Sequence, residues 1–419
     1  MKTKSILLNA LLVVALVVAF SIPAFASGNT YKLGFSGAIT GPTSDAGNPY
    51  SKGLEDWFRY VNDEKILGND RIDCAIRDDQ YQNATTKRFF EEFLDDGIVL
   101  FLSYATGANL GLKRDYEEVQ IPVIPASYHE GLLDNANYIF TPVATYSENV
   151  VGLAEYVVNN HRGAISPKVA FFIHPSAFGR GPLEDTKKAM KAGLKMDIIE
   201  VVEHGKALDN TAMLKRLVSK GVRYVLCHSV QSPVATMLTD ASRLGLTARY
   251  FGEKDKLTFL GAHYTGGNDL IALAGPAAEG FYWSCSYNLT SEGNRGAKKQ
   301  LALAKRYGRD AKAANSHNYG AGILAAQIAT EAIKNAKAAD MAKGLDITDE
   351  DDLEVYRKRL YSIFQRMEFY PFVAAGPVDY TDTERVGVDL QNVYVVKNGK
   401  FGKIEAIQSK YMKDIRAAK

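Results

Sequence analysis

Residues 31–47 read YKLGFSGAITGPTSDAG. Tyr31, Leu33 and Phe35 alternate with smaller or polar neighbours, as a strand requires. The run then breaks into Gly41 and Pro42, which fix a turn, amid the hydroxyls of Thr40, Thr43 and Ser44. Ser44 and Asp45 stand where a helix beginning near Pro49 would be capped. That helix is written in NPYSKGLEDWFRYVNDE (48–64), with Leu54, Trp57, Phe58 and Val61 along one stripe. A strand that ends in hydroxyls and free N–H groups ahead of a helix is suited to holding an anion without a fixed cation.

Working outward, the same unit repeats. RIDCAIRDD (71–79), IVLFLS (98–103) and IPVIPAS (121–127) read as strands. ATTKRFFEEFLDDG (84–97), closed by Gly97, and NLGLKRDYEEVQ (109–120) read as helices between them. The alternation restarts with a helix at 149–160 and strands KVAFFIH (168–174), IIEVVEH (198–204), RYVLCHS (223–229) and RYFGE (249–253), again separated by helical patterns. Long helices follow near 296–308 and 318–337, then strands over 376–407 with a turn at Asn398-Gly399. Strand–helix alternation on this scale predicts an α/β chain of two doubly wound, Rossmann-like lobes. Ligand sites in such sheets lie outside the carboxyl ends of the strands. That rule selects the loops 41–48, 103–108, 126–130, 174–181 and 252–256. In the second of these, Thr106 is placed to cap its own helix and to turn its hydroxyl toward a cleft, at a terminus rich in unpaired N–H groups.

The N-terminus carries Lys2 and Lys4, an apolar run, Pro23 and then Ala24-Phe25-Ala26. This is the pattern of a secretory signal peptide over residues 1–26, cleaved after Ala26. A mature chain of roughly 390 residues exceeds the ~250–300 that one core fills, so two lobes are expected. Losing Lys2 and Lys4 brings the 50 Lys and Arg to parity with the 48 Asp and Glu. A neutral chain has no electrostatic footprint for nucleic acid or anionic membrane. Cys74, Cys227 and Cys285 lie in apolar or strand-like runs and read as small buried hydrophobes rather than a disulfide framework.

YKLGFSGAITGPTSDAG, DDQYQNATTKRFFEEFLDDGIVLFLSYATGAN and IPVIPAS, in that order, resemble the periplasmic solute-binding proteins of ABC importers, of the leucine/isoleucine/valine-binding type. HPSAFGRGPLEDTKKAMKAG and RYFGEKD resemble the corresponding stretches of the family's second lobe. The resemblance implies two lobes joined by three hinge crossings, near 142–146, 278–282 and 369–376. One lobe would span 27–143 plus 282–370, the other 144–281 plus 371–419. It implies a periplasmic monomer that takes a small carboxylate, amino acid or amide, delivers it to a permease and uses no cofactor or metal. By the same resemblance Thr106 with Ala126, Ser127 and Tyr128 would hold a carboxylate, and Phe178 would stack from the second lobe. Lys254 stands where the family has an ammonium-binding acid, which would favour a second anionic group or a carbonyl oxygen. Ser103 lies in the third-strand loop; Tyr104 and Trp283, with Tyr319, are further aromatic walls.

Enzyme signatures are missing. The chain has no Gly-x-Ser-x-Gly elbow, no phosphate loop and no His-Glu-x-x-His, and its seven histidines are scattered. The remaining readings are an exported Rossmann-like enzyme or a free ligand sensor for a membrane receptor.

Overall fold

The computed structural model describes residues 28–205 and 209–417; the expected signal peptide lies outside them. The chain opens with β1 (Thr30–Gly37), α1 (Ser44–Asp63), β2 (Arg71–Asp78), α2 (Asn83–Asp95), β3 (Leu100–Ser103), α3 (Thr106–Glu118), β4 (Val123–Pro125) and β5 (Thr141–Val143). Helix α4 (Tyr146–Asn160) leads into β6 (Lys168–Ile173), α5 (Ala177–Lys191), β7 (Asp197–Glu203), α6 (Thr211–Ser219), β8 (Tyr224–His228), α7 (Gln231–Arg243), β9 (Thr258–Ala262), α8 (Asn268–Ala274) and β10 (Tyr282–Cys285). Four helices follow: α9 (Arg295–Arg306), α10 (Ala311–Asn315), α11 (His317–Ala338) and α12 (Glu350–Phe364). The chain ends with β11 (Glu368–Phe369), β12 (Val378–Asp379), β13 (Val386–Val388), β14 (Gln391–Lys397), β15 (Lys400–Ile407) and α13 (Lys410–Ala417).

The first sheet is parallel, in the order β2-β1-β3-β4. Strand β3 is buried along its whole length because helices cover both faces. Helices α1 and α11 lie against one another at unusually short range. A Cβ on Gly53 would sit 2.1 Å from the Tyr319 carbonyl oxygen, and one on Gly322 would sit 2.0 Å from that of Tyr50. Only glycine allows that reciprocal approach. At the same interface the buried Asp56 carboxylate accepts from Arg309 (2.8 and 2.7 Å) and from the Tyr319 hydroxyl (2.8 Å).

The second sheet runs β15-β14-β10-β9-β8-β6-β7. Its first five strands in sequence are parallel, and the β14–β15 hairpin is antiparallel. Asn398 (φ 53°) and Gly399 (φ 69°) form the expected tight turn. Near the end, α13 returns to the junction of the lobes. Its Arg416 guanidinium bonds Glu130, after β4, at 2.7 Å and Glu148, in α4, at 2.8 Å.

Three expectations shift. Helix α1 begins at Ser44 rather than near Pro49, because the Thr43 carbonyl already accepts from Ala46 and Gly47. Residues 249–253 are not a strand. Glu253 accepts from the Arg249 N–H (2.7 Å) and guanidinium, Gly252 turns at φ 70°, and the strand is the fully buried TFLGA that follows. Strand β10 hydrogen-bonds β9 and β14, so Tyr282–Cys285 belongs to the second sheet. The first sheet ends with β4, the second runs from β6 to β10 and takes up β14 and β15, and β5 pairs in parallel with β13 in a separate two-stranded sheet. The chain therefore leaves the second sheet after Cys285, later than the expected 278–282. Among the described residues, no helix is long and apolar enough to cross a membrane.

Candidate ligand-binding site

In both lobes the strand order reverses beside the unit's first strand, between β1 and β3 and between β6 and β8. Ligands bind outside the carboxyl ends of strands at such reversals, and here the two sets of loops meet. On α1, Asp45 Oδ2 accepts from the Ser232 N–H (3.1 Å) and hydroxyl (2.8 Å) at the start of α7. After β9, the Tyr264 hydroxyl donates to the Ala126 carbonyl at 2.7 Å.

Between the lobes is a void of about 10 Å³, room for about one water. The first lobe supplies Thr43, Tyr81, Tyr104, Thr106 and Ala126 to its wall. Tyr146 enters from the start of α4, and Phe178, Val230 and Tyr264 close it from the second lobe. Tyr81 also borders a groove of about 670 Å³ at the cleft mouth, which His174, Ser176 and His204 help to line.

Thr106 opens α3, and its hydroxyl lies 2.8 Å from that of Ser127. One of the two hydroxyls donates to the other, so one proton stays available. The first N–H groups of α3 have no acceptor within the helix and form its positive end. Thr43 is 1% exposed, yet its hydroxyl, beside that of Tyr104, makes no well-formed hydrogen bond, the Tyr104 hydroxyl having turned to the Thr43 carbonyl at 3.2 Å.

The wall carries no formal charge. Burial raises the phenols of Tyr81, Tyr104, Tyr146 and Tyr264. Behind them, burial lowers His228 to about 3 and His263 well below its ordinary value. Asp79 is close but committed: it accepts from Ser36 (2.8 Å), Thr86 (2.8 Å) and the Tyr81 N–H (2.8 Å).

Of the residues expected from sequence, Tyr104, Thr106, Ala126 and Phe178 line the void. Ser127 stands behind Thr106. Tyr128 stands behind Tyr264, 3.4 Å between hydroxyls, and also bonds Tyr287 at 3.0 Å. Three residues lie elsewhere. Ser103 is fully buried in β3 and contributes nothing to the void. Lys254 is exposed beside Lys168 and Arg223, at the amino end of the second sheet, because its segment precedes β9. Trp283 is fully buried among Tyr394, Phe401 and His317. Its indole N–H holds the His263 carbonyl at 2.7 Å. His263 has φ 44°, a conformation costly for a non-glycine residue, and this bend carries Tyr264 into the cleft.

Sequence reasoning missed Thr43 as a lining residue, and with it Tyr81, Tyr146, Val230 and Tyr264. Applying the strand-end rule to β2 as well would have found Tyr81. Tyr264 was out of reach once the preceding strand had been placed at 249–253.

The family model described as periplasmic binding protein matches residues 30–397. The chain belongs to the periplasmic binding protein family. This binding protein is 42% identical to the crystal structure of a branched chain amino acid ABC transporter from Thermus thermophilus with bound valine. The match covers 93% of this chain and all of that one, at a TM-score of 0.84. It is 22% identical over 273 residues to a leucine-, isoleucine-, valine-, threonine- and alanine-binding protein of Pseudomonas aeruginosa, covering 63% of this chain and 70% of that one. A leucine binding protein from Thermotoga maritima shares the fold at 17% identity, covering 90% of this chain and 99% of that one, with a TM-score of 0.69. The protein is a solute-binding receptor of the type that serves ABC transporters, and the relatives named are binding proteins rather than enzymes.

Proposed function

We propose that this receptor captures a small carboxylate with a compact apolar body, a branched-chain amino acid in the first instance, outside the cytoplasm and passes it to an ABC permease without covalent chemistry. The observation that carries the reading is the Thr106–Ser127 hydroxyl pair at the positive end of α3, inside a neutral aromatic wall. Hydroxyls and peptide N–H groups hold the carboxylate, while Phe178, Tyr104 and Val230 cover the apolar body. The similarity to the valine-bound Thermus thermophilus structure supports valine as the first solute to try.

A void of about 10 Å³ is too small for valine. Solute therefore enters when the lobes part and is enclosed when they meet, and contacts from both lobes favour the closed state. The segments of chain that cross between the lobes serve as the hinge. Export by cleavage after Ala26 belongs to the same proposal.

Calorimetry and thermal melts of the mature protein with valine, leucine, isoleucine, lysine and benzoate test it. Aliphatic amino acids at a hundred times their dissociation constants should stabilise the fold by ~2.7 kcal/mol, with lysine inert. If valine, leucine and isoleucine all leave melt and heat unchanged, the reading is wrong.

A further inference from the structure

The void is rich in donors, and the carboxylates and carbonyls nearest it are already engaged. On the donor side are the spare proton of the Thr106–Ser127 pair, the first N–H groups of α3, and the Thr43 hydroxyl, buried and without a well-formed hydrogen bond. On the acceptor side, a carbonyl oxygen has two lone pairs. That of Ala126 already accepts from Tyr264 (2.7 Å) and Tyr146 (3.2 Å). That of Thr43 accepts from Tyr104 (3.2 Å) and from the N–H groups of Ala46 (3.1 Å) and Gly47 (3.0 Å). The nearby acids are engaged as well, Asp79 with Ser36, Thr86 and Tyr81, and Asp45 with Ser232. A ligand ammonium would bring three donors to a place where hydroxyl and phenol oxygens and ring faces remain to receive them, but no free carboxylate or carbonyl.

Resting on the proposed carboxylate-binding reading, we infer that this site also takes branched-chain 2-oxo acids, which carry the same apolar body and carboxylate but replace the ammonium with a carbonyl oxygen. Every polar atom of a 2-oxo acid is an acceptor, and the Thr43 hydroxyl is the donor left over for its keto oxygen. A receptor that gripped the ammonium with a buried carboxylate would behave in the opposite way, because removing one partner of a buried charge pair is strongly unfavourable.

The test is calorimetry of the mature wild-type protein with valine and with 3-methyl-2-oxobutanoate, at one pH and salt. A dissociation constant for the oxo acid within tenfold of valine's, or tighter, is the expected result. Valine binding with the oxo acid more than tenfold weaker overturns this inference and leaves the proposed function standing. Binding of neither overturns both. Thr43→Val supplies a second readout. It should weaken the oxo acid about tenfold and valine less than threefold, with the thermal melt of the free protein checking that the variant folds. Equal losses for both ligands would remove Thr43 from the keto-oxygen role.

Discussion

Replacing Asp45 separates the hydrogen bonds that join the lobes from the charge that makes them. Both bonds from Ser232 end on the same oxygen, Oδ2, at 3.1 and 2.8 Å. The amide oxygen of Asp45→Asn can therefore accept both, whereas Asp45→Ala loses both. Ser232 is exposed, so its freed N–H and hydroxyl turn to water and no unsatisfied group is left behind. At about 0.5–1.5 kcal/mol per bond, the alanine variant forfeits about 2 kcal/mol of the closed state relative to the asparagine variant. Where the open form dominates without ligand, that loss passes directly into affinity, about thirtyfold in the dissociation constant. Burial is the largest influence on the Asp45 carboxyl and lifts it above the usual carboxylate range, outweighing the bonds from Ser232. A raised pKa means that the closed form favours the protonated acid. Its contribution is complete below the ordinary carboxylate pKa and is lost as pH rises through the raised one. Wild-type affinity should thus fall across that interval, while Asp45→Asn stays flat and binds at least as tightly at neutral pH. Calorimetric titration with valine at several pH values measures all three proteins. An alanine variant within twofold of the asparagine one, or an asparagine variant whose affinity falls with pH as the wild type's does, would refute this account of closure.

Other variants probe the remaining parts. Thr106→Val removes a hydroxyl from the carboxylate cradle. A hydrogen bond to a charged group contributes about 1.5–3 kcal/mol, so calorimetry should show valine binding at least tenfold weaker with the melt of the free protein little changed. Lys254→Glu lies outside the cleft and should leave the dissociation constant for valine within twofold. Asp56→Ala removes two of the three bonds that hold Arg309 to α1, Glu55 keeping the third, and frees the Tyr319 hydroxyl. With Glu55 still paired to Arg309, the loss stays below the about 3–5 kcal/mol of a fully orphaned buried charge, read as a lower melting temperature with little change in affinity once folded. Trp283→Phe frees the His263 carbonyl, and weaker valine binding in that variant would show that the bend before Tyr264 is held from behind.

Much of this architecture was legible in the sequence because strand and helix periods differ, and the first seven elements alternate cleanly between them. The loops at 41–48, 103–108, 126–130 and 174–181 followed from where those strands end. RYFGE misled because Tyr250 and Phe251 look like strand residues. Only the fold shows that Glu253 turns back to Arg249 and that the buried run is TFLGA, one segment later. That slip carried Lys254 into the expected site and kept Tyr264 out of it. Nor does sequence say which sheet a strand joins. Tyr282–Cys285 reads equally well in either lobe, and its hydrogen bonds to β9 and β14 decide the matter. Trp283 likewise looks available as a wall until its neighbours are known.

The reach of Arg416 has a practical side. This side chain, within the last turn of α13, ties Glu130 in one lobe to Glu148 at the base of the other. Those ion pairs bury a guanidinium from the last helix against the start of α4, so the chain's end is part of the fold around the cleft rather than a free tail. A shortened expression product ending before α13 would leave the buried Glu130 and Glu148 carboxylates without this cation. Melting temperatures measured on such material would then describe that deficit rather than the native receptor.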